Sequence, residues 1–179
     1  FNVRKVVMAG TVCSYPKFAP IPFAEDNLWN GYPEESNAPY GIAKKAAMIL
    51  GQALESQFGI EAVNLICANL YGPGDDFTDE KAHVIPALIR RFCNAADRGA
   101  ESVTVWGTGS ASREFLFVGD AAEAYVLACA KTVSSTPITV GNGTETRIRK
   151  LVSTIADACG YVGRIDWDIT KPDGQPRRQ

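Results

Sequence analysis

The 179-residue chain is 46% hydrophobic and 21% charged, a composition typical of a soluble globular domain rather than a disordered segment. Its net charge of −2 gives no electrostatic basis for binding nucleic acid, and no apolar run approaches the ~20 residues of a membrane span. Five dispersed cysteines without a CxxC pair, and the single histidine His83, argue against a metal site and favour reduced thiols. We therefore predict a cytoplasmic protein without a metal ion, and we interpret the basic clusters IRRF and QPRRQ as solvated faces.

Strand and helix patterns alternate from the start of the chain. The β-branched run VRKVVMAG predicts a buried strand, and the Pro- and Gly-rich segment after it predicts a long loop that its aromatic residues keep ordered. Apolar residues at helical spacing predict a helix from Tyr40 to about Phe58, ended by Gly59. The next predicted strand is IEAVNLICANLYG.

The second half of the chain continues this alternation. A helix is predicted from about His83 to Asp97, with Pro86 in its first turn. SVTVWG and EFLFV predict strands around the turn TGSASR, and Asp120 is predicted to cap the helix AAEAYVLACAK. A strand with a turn is then predicted at PITVGNG and a helix at RKLVSTIADACG. The last strand is predicted at RIDWDI, before the polar tail. The pattern indicates an α/β fold with a mainly parallel sheet.

Tyr40 and Lys44 lie four residues apart, so their side chains share one face of the predicted helix. A nearby ammonium stabilises a phenolate and makes tyrosine a usable general acid/base. The same spacing also occurs on solvated helix faces. The catalytic interpretation gains support from Thr11 and Cys13, which follow a predicted strand, because ligands gather at the carboxyl ends of parallel strands.

The order of several motifs identifies a family resemblance. The chain resembles the extended short-chain dehydrogenase/reductase family, the NAD(P)-dependent sugar-nucleotide epimerases, dehydratases and reductases. The resemblance lies in six segments: VCSYPK, APYGIAKKA, NLYGPGDDF, HVIPALIRRF, VWGTGSASREFLFVGD and KPDGQPRR. The resemblance covers nearly the whole chain. It is closest to members that epimerise GDP-4-keto-6-deoxy-D-mannose at C3 and C5 and then reduce it at C4. It implies an NADP(H) cofactor, or NAD(H), a GDP-sugar substrate and a homodimer.

The resemblance also implies a domain organisation. Residues 1–70 would form the carboxyl-terminal part of a Rossmann-type domain, with the YxxxK helix. Residues 71–179 would form mainly a smaller α/β lobe that binds the sugar nucleotide, with some segments returning to the first sheet. The family's glycine-rich GxxGxxG loop, which cradles the cofactor pyrophosphate, does not occur in the sequence. We therefore expect a piece of a longer protein, without the amino-terminal half of the Rossmann-type domain.

Roles for five residues follow from the resemblance. Tyr40 would protonate the C4 oxygen, Lys44 would support it and hold the nicotinamide ribose, and Thr11 would hydrogen-bond the same oxygen. Cys13 and His83 would be the acid/base pair of the epimerisation. A thiol and an imidazole suit proton transfer beside a ketone because both can titrate near neutral pH. A small buried thiol and a helix-start histidine are the alternatives.

The remaining candidates bind cofactor or substrate in this interpretation. The cofactor-binding residues would be Tyr40, Lys44, Ala68, Asn69, Leu70 and His83. The substrate-binding residues would be Arg91, Trp106, Arg113 and Lys171. Arginine suits a diphosphate through its planar fork of donors, although ordinary surface salt bridges explain these cations equally well.

Two other functions remain open at the level of sequence. A redox-neutral 4-epimerase of the same family would need Tyr40 and Lys44 but not Cys13 or His83. A non-catalytic remnant that binds a sugar nucleotide or oligomerises would fit the missing glycine-rich loop. Dimerisation through the YxxxK helix is a further expectation, with Ala46, Ile49 and Ala53 as interface or core residues.

Overall fold

The computed structural model describes residues 2–78, 82–131, 134–171, 173 and 175–178. Its helices are α1 (Ala38–Phe58), α2 (Val84–Asp97), α3 (Val118–Lys131) and α4 (Ile148–Ala158). Its strands are β1 (Lys5–Thr11), β2 (Glu61–Cys67), β3 (Asn69–Tyr71), β4 (Ser102–Trp106), β5 (Ser112–Phe117), β6 (Ile138–Val140), β7 (Glu145–Arg147), β8 (Arg164–Asp168) and β9 (Arg177–Arg178). The predicted α/β fold class is confirmed.

The described residues divide into two units. The first unit takes in the described residues that fall within 1–70, 114–144 and 178–179, and the second takes in those within 71–113 and 145–177. None of the helices in the described ranges is long and apolar enough to cross a membrane.

The first unit is built on a parallel sheet with the strand order β1-β2-β6. Lys5 lies opposite Glu61 and Thr11 lies opposite Cys67, so β1 and β2 end at the same edge. Strand β2 is central, and every residue after Glu61 is buried. A parallel strand that is covered on both faces has a nearly continuous apolar sequence, because all of its side chains are buried. The sequence EAVNLIC has this character.

Helices cover the two faces of β2 with different side chains. On one face, Val63 and Leu65 belong to a core cluster with Ala121 and Ala128 of α3. On the other face, Ile66 belongs to a cluster with Met48 of α1 and with aromatic residues of the loop after β1. The alternation of side chains along a strand therefore decides which helix each residue contacts.

The long loop after β1 is ordered, because its residues bind to β6. The Tyr15 ring stacks on Phe23 with 4.4 Å between ring centres, and the Tyr15 hydroxyl lies 2.8 Å from the Thr139 hydroxyl. The Glu25 carboxylate accepts a hydrogen bond from the Thr139 backbone N–H (2.6 Å). These contacts explain why the aromatic residues in the loop indicated order.

The second unit has its own core. Strands β4 and β8 pair in parallel, with Ser102 opposite Arg164 and Trp106 opposite Asp168. Helices α2 and α4 pack against each other and contribute to one apolar cluster. Its buried members are Leu88, Phe92, Ala95, Val103, Val105, Val152, Ile155, Ala156 and Tyr161.

Several element boundaries differ from the sequence prediction. The strand predicted over residues 60–72 is interrupted at Ala68, which separates β2 from β3. Helix α3 begins at Val118, so the prediction that Asp120 caps it from outside is wrong. Asp120 lies instead in the first turn, where a carboxylate interacts favourably with the helix dipole. Strands β7 and β9 were not predicted, since two- and three-residue strands carry no periodicity; they belong to a third sheet with β3 and β5.

Truncating Phe92 to Ala should lower the free energy of unfolding by about 3–5 kcal/mol, because the ring is fully buried in the second unit's core. Phe58→Ala is the matched control, since that ring is 70% exposed, and its effect should stay within about 0.5 kcal/mol. Urea denaturation followed by circular dichroism measures both. Equal effects from the two variants would contradict this description of the core.

Candidate active site

A single helical turn follows β1 and carries Cys13. Thr11 is the last residue of the strand, and Val12–Ser14 form a 3-10 turn. The Thr11 hydroxyl accepts a hydrogen bond from the Cys13 backbone N–H (3.2 Å) and thereby caps this turn. Thr11 and Ser14 are buried, whereas Cys13 is half-buried. The local structure therefore places a partly accessible thiol at the carboxyl end of β1.

Helix α1 contacts this turn backbone to backbone at Gly41. The buried Ser14 hydroxyl donates a hydrogen bond to the Gly41 carbonyl (3.1 Å). A Cβ atom at position 41 would lie 2.5 Å from the Cys13 carbonyl oxygen and 3.3 Å from the Ser14 Cα atom. Only glycine permits so close an approach. Because Tyr40 precedes Gly41, this contact holds the first turn of α1 next to the turn that carries Cys13.

Tyr40 and Lys44 share one face of α1, as their spacing predicted. The Lys44 Nζ atom lies 5.7 Å from the centre of the Tyr40 ring, within the range of a cation–π contact. The Tyr40 side chain is 51% exposed, so its phenol is accessible to a ligand. This arrangement suits a tyrosine that exchanges a proton while a neighbouring ammonium stabilises its phenolate.

Arg178 lies beside Cys13 and was missed in the sequence analysis. Its Nη1 atom donates a hydrogen bond to the Cys13 Sγ atom (3.3 Å). The interpretation of QPRRQ as a solvated face is therefore wrong for Arg178, which is half-buried. The two residues are 165 positions apart, so only tertiary structure brings them together. The one available signal was the position of Arg178 inside the motif KPDGQPRR.

Residues Ala68, Asn69 and Leu70 follow the neighbouring strand end. Because Thr11 lies opposite Cys67, Ala68 is the first residue beyond β2 at the sheet edge where β1 also ends. The Asn69 side-chain amide donates a hydrogen bond to the Glu114 carbonyl (2.8 Å), which holds it against β5. Ala68 is buried and Leu70 is 43% exposed. The predicted cofactor segment thus lies along the same edge as Thr11.

The buried Cys67 lies in contact with the half-buried Tyr125 of α3. The Cys67 thiol is 3.8 Å from the Tyr125 hydroxyl. Burial raises the pKa of the Tyr125 phenol well above its usual range, and the nearby Cys67 and Tyr40 side chains raise it further. Burial also raises the pKa of the Cys67 thiol, against a smaller opposing effect of the contact with Tyr125. Both groups are therefore uncharged near neutral pH, and Cys67 is a core residue.

In the second unit, His83 occupies the N-cap position of α2. Its side chain makes no capping hydrogen bond, and the residue is exposed, which leaves the imidazole accessible. Arg91 lies two turns further along α2 and donates a hydrogen bond to the Thr104 carbonyl (2.7 Å). That contact uses one of the five guanidinium N–H donors. The structure therefore holds Arg91 against β4 and places His83 at a helix start.

Trp106 and Lys171 lie together at the end of β4. The Lys171 Nζ atom is 5.5 Å from the centre of the Trp106 ring, and Trp106 is 64% exposed. The loop after β4 is held by the Asp173 carboxylate, which accepts hydrogen bonds from the Thr108 backbone N–H and hydroxyl (both 2.6 Å). These hydrogen bonds lower the pKa of Asp173. Trp106, Lys171 and this loop thus form one exposed surface of the second unit.

Arg113, the last predicted substrate residue, donates a hydrogen bond to the Ser112 carbonyl (2.7 Å). The Ser112 hydroxyl in turn binds the Glu145 carboxylate, which also pairs with the Arg177 guanidinium (2.6 Å). Arg177 and, secondarily, Ser112 lower the pKa of Glu145 to about 2. This carboxylate is therefore ionised throughout the physiological range and holds the Arg177 segment in place.

The predicted residues divide between the two units. The first unit contains Thr11, Cys13, Tyr40, Lys44 and the segment 68–70. The Gly41 contact brings the start of α1 to the turn that carries Cys13, and Lys44 lies beside the Tyr40 ring. The second unit contains His83, Arg91, Trp106, Arg113 and Lys171. Within the described ranges, no group of three or more His, Cys, Asp or Glu side chains could hold a metal ion.

Comparison with known proteins identifies the class to which this fold and these residues belong. Residues 1–141 match the NAD dependent epimerase/dehydratase family. The chain therefore belongs to that family. It is 43% identical over 177 residues to the probable GDP-L-fucose synthase 1 of Oryza sativa subsp. japonica, and 43% identical over 186 residues to the GDP-L-fucose synthase of Escherichia coli strain K12.

The similarity covers all but a few residues of this chain but only part of each relative. It includes 99% of this chain, 54% of the rice protein and 58% of the E. coli protein. The solved structure of a GDP-L-fucose synthetase from Naegleria fowleri bound to NADP is similar with a TM-score of 0.90 and 30% identity, over 99% of this chain and 57% of that one. The chain thus spans about half the length of the curated relatives it matches.

Replacing Gly41 with Ala should destabilise the first unit, although alanine favours helices over glycine by about 1 kcal/mol. The added methyl group would meet the Cys13 carbonyl, and neither backbone can move without separating α1 from the turn. We expect a lower melting temperature and an altered alkylation rate of Cys13. Ala43→Ser, on the exposed face of the same helix, is the control and should change neither. A Gly41→Ala variant more stable than the parent would contradict the contact.

Replacing Arg178 with Gln should slow the alkylation of Cys13 by iodoacetamide at neutral pH. The thiolate is the reactive form, and a guanidinium in contact with the sulfur stabilises it. Mass spectrometry of digested samples taken over time gives the rate at each cysteine. The exposed Cys129 is the internal control, because its rate should be the same in both proteins. An unchanged rate at Cys13 would mean that the Arg178 contact has no electrostatic effect.

Proposed function

We propose that this chain forms the catalytic and substrate-binding part of an enzyme of the GDP-L-fucose synthase type, which epimerises GDP-4-keto-6-deoxy-D-mannose at C3 and C5 and reduces it at C4. The names of the similar proteins support this substrate class. The observation that carries the proposal is the Cys13 thiol, which lies in contact with Arg178 on a turn that touches the Tyr40 helix.

In the epimerisation, Cys13 and His83 act as the acid/base pair. The C4 ketone makes the protons on C3 and C5 acidic, because the negative charge left behind can move onto the ketone oxygen. One group removes such a proton and the other returns a proton to the opposite face. Positioned acid/base groups of this kind accelerate proton transfer by about 10²–10⁴. Arg178 assists by placing a positive charge against the Cys13 sulfur.

In the reduction, Tyr40 donates a proton to the C4 oxygen and Thr11 donates a hydrogen bond to the same atom. Lys44, 5.7 Å from the Tyr40 ring centre, stabilises the phenolate that remains. A nicotinamide cofactor, NADP(H) or NAD(H), would supply the hydride. The accessible Tyr40 phenol, the Lys44 ammonium and the 68–70 backbone at the strand edge have the chemistry to hold its nicotinamide ribose end.

Cationic and aromatic residues of the second unit would bind the GDP group. Arg91 uses one N–H donor on the Thr104 carbonyl, which orients its guanidinium and leaves further donors for a diphosphate, and Arg113 is oriented by its hydrogen bond to the Ser112 carbonyl. The exposed Trp106 ring, with Lys171 over it, offers a flat apolar surface beside a positive charge. Such a surface suits stacking on a nucleotide base next to its phosphates.

We further propose a cytoplasmic homodimer. Helix α1 exposes Ile42, Ile49 and Leu50, with exposed fractions of 42%, 50% and 60%. A second copy of the chain would bury these apolar side chains through the YxxxK helix. All five cysteines are free thiols, which suits a reducing compartment.

The test of the proposed chemistry is proton exchange in D₂O with GDP-4-keto-6-deoxy-D-mannose and no nicotinamide. Epimerisation needs no hydride, so deuterium should appear at C3 and C5 if the chain holds the acid/base groups productively. We expect Cys13→Ser and His83→Asn each to reduce the exchange rate by at least about 100-fold. NMR spectroscopy of the sugar measures the rate at both carbons.

Cys129→Ser is the control variant, because this exposed thiol lies on α3 and should not affect exchange. Exchange that survives both Cys13→Ser and His83→Asn would contradict their roles and favour a family member that acts only at C4. No exchange from a folded parent protein would favour a non-catalytic role that is limited to binding the sugar nucleotide.

A further inference from the structure

Two thiols of the second unit lie in contact and have no part in the chemistry above. Cys93 belongs to α2, and Cys159 is the residue that directly follows α4. Their Sγ atoms are 3.1 Å apart, although 66 positions separate the residues in sequence. The Cys159 thiol also lies 3.7 Å from the Ile89 carbonyl of α2. Both cysteines are half-buried, so small reagents can reach them from solvent.

We propose that Cys93 and Cys159 are a redox modification site, a dithiol that closes reversibly into a disulfide between α2 and α4. A disulfide bond is about 2.05 Å long, so the two sulfur atoms must approach by roughly 1 Å, a movement that small rotations about the side-chain bonds can supply. The packing of the helices keeps the pair together, since the neighbouring Phe92 and Ile155 are buried in the shared core.

The oxidant in this reaction is hydrogen peroxide. The thiolate of one cysteine attacks a peroxide oxygen, the O–O bond breaks, and a sulfenic acid and one water form after proton transfer. The thiol of the other cysteine then attacks the sulfenic sulfur, the S–S bond forms, the S–O bond breaks and a second water leaves. The two thiols lose two electrons and two protons in total. A thiol reductant reverses the reaction by exchange.

The environment of the pair supports this sequence of steps. Burial, together with the adjacent Cys93 thiol, raises the pKa of Cys159 to about 11. Cys159 therefore stays a neutral thiol near neutral pH, next to the Cys93 sulfur. The resulting bond would tie α2, which begins after His83 and carries Arg91, to the end of α4. The proposal does not depend on the function of either residue.

The test treats the full 179-residue chain with dilute hydrogen peroxide, blocks the remaining thiols with N-ethylmaleimide and maps the digested protein by mass spectrometry. We expect a disulfide-linked peptide pair that contains Cys93 and Cys159, and no disulfide-linked peptide that contains Cys13, Cys67 or Cys129. In a parallel sample, dithiothreitol added after the peroxide and before the N-ethylmaleimide should return all five cysteines to thiols that can be alkylated. The oxidised protein should also melt at a higher temperature than the reduced one, because the bond closes a long loop in the unfolded chain.

Single Cys93→Ser and Cys159→Ser variants should lose the linked peptide and the oxidation-dependent rise in melting temperature. Cys129→Ser is the matched control: it should retain both and cannot form links between molecules through the exposed thiol of α3. A second measurement needs no variant. Phenylarsine oxide bridges neighbouring thiols, so the parent protein should take up one equivalent, and peptide mapping should find it across Cys93 and Cys159.

Two results would overturn the proposal. One is oxidation of Cys93 and Cys159 to separate sulfinic acids without a linked peptide. The other is alkylation of both residues under conditions in which the exposed Cys129 is fully oxidised. Neither result would bear on the exchange chemistry proposed for Cys13 and His83, because that experiment measures deuterium in the sugar rather than the state of these thiols.

Discussion

The candidate site of the first unit depends on one close contact between two pieces of backbone, helix α1 at Gly41 and the turn after β1. Side chains can rotate away from a poor contact, but backbone atoms cannot, so this approach sets the position of the whole first turn of α1. The Ser14 hydroxyl adds a hydrogen bond across the same contact. The Thr11 hydroxyl caps the turn by accepting a hydrogen bond from the Cys13 backbone N–H. Tyr40 on the helix, the proposed proton donor, and the Cys13 thiol on the turn are thereby carried by two segments that are in direct backbone contact.

The parallel sheet supplies the second element of the site. Since β1 and β2 end in register, the residues that follow them lie along one edge, and that edge carries both Thr11 and the 68–70 segment. The second unit folds around its own apolar cluster and presents cations and an aromatic ring on its surface. Its arginines bind backbone carbonyls, which reduces their freedom before any ligand arrives.

The five cysteines show that environment, rather than residue type, decides what a thiol can do. Cys13 lies next to the Arg178 guanidinium. Cys67 lies in the core beside a tyrosine, and burial keeps it neutral. Cys93 and Cys159 touch each other, and Cys129 is exposed. The environments of four cysteines arise from contacts between residues far apart in the chain. The spacing of the cysteines in the sequence therefore could not predict these environments.

Local patterns in the sequence determined the element types and much of their order, because helix and strand periodicity, glycine caps and proline positions act over a few residues. Helix α1 ends at Phe58 with Gly59 in the left-handed conformation, as predicted, and the Tyr40–Lys44 spacing predicted their shared face. The sequence could not show that Ala68 interrupts a strand, that α3 begins before Asp120, or that two short strands exist, since sheet partners decide these features. Nor could it place Arg178 on Cys13 or Cys93 on Cys159. Those contacts depend on how distant segments pack, because burial and electrostatic environment are properties of the folded chain and not of any local stretch of it.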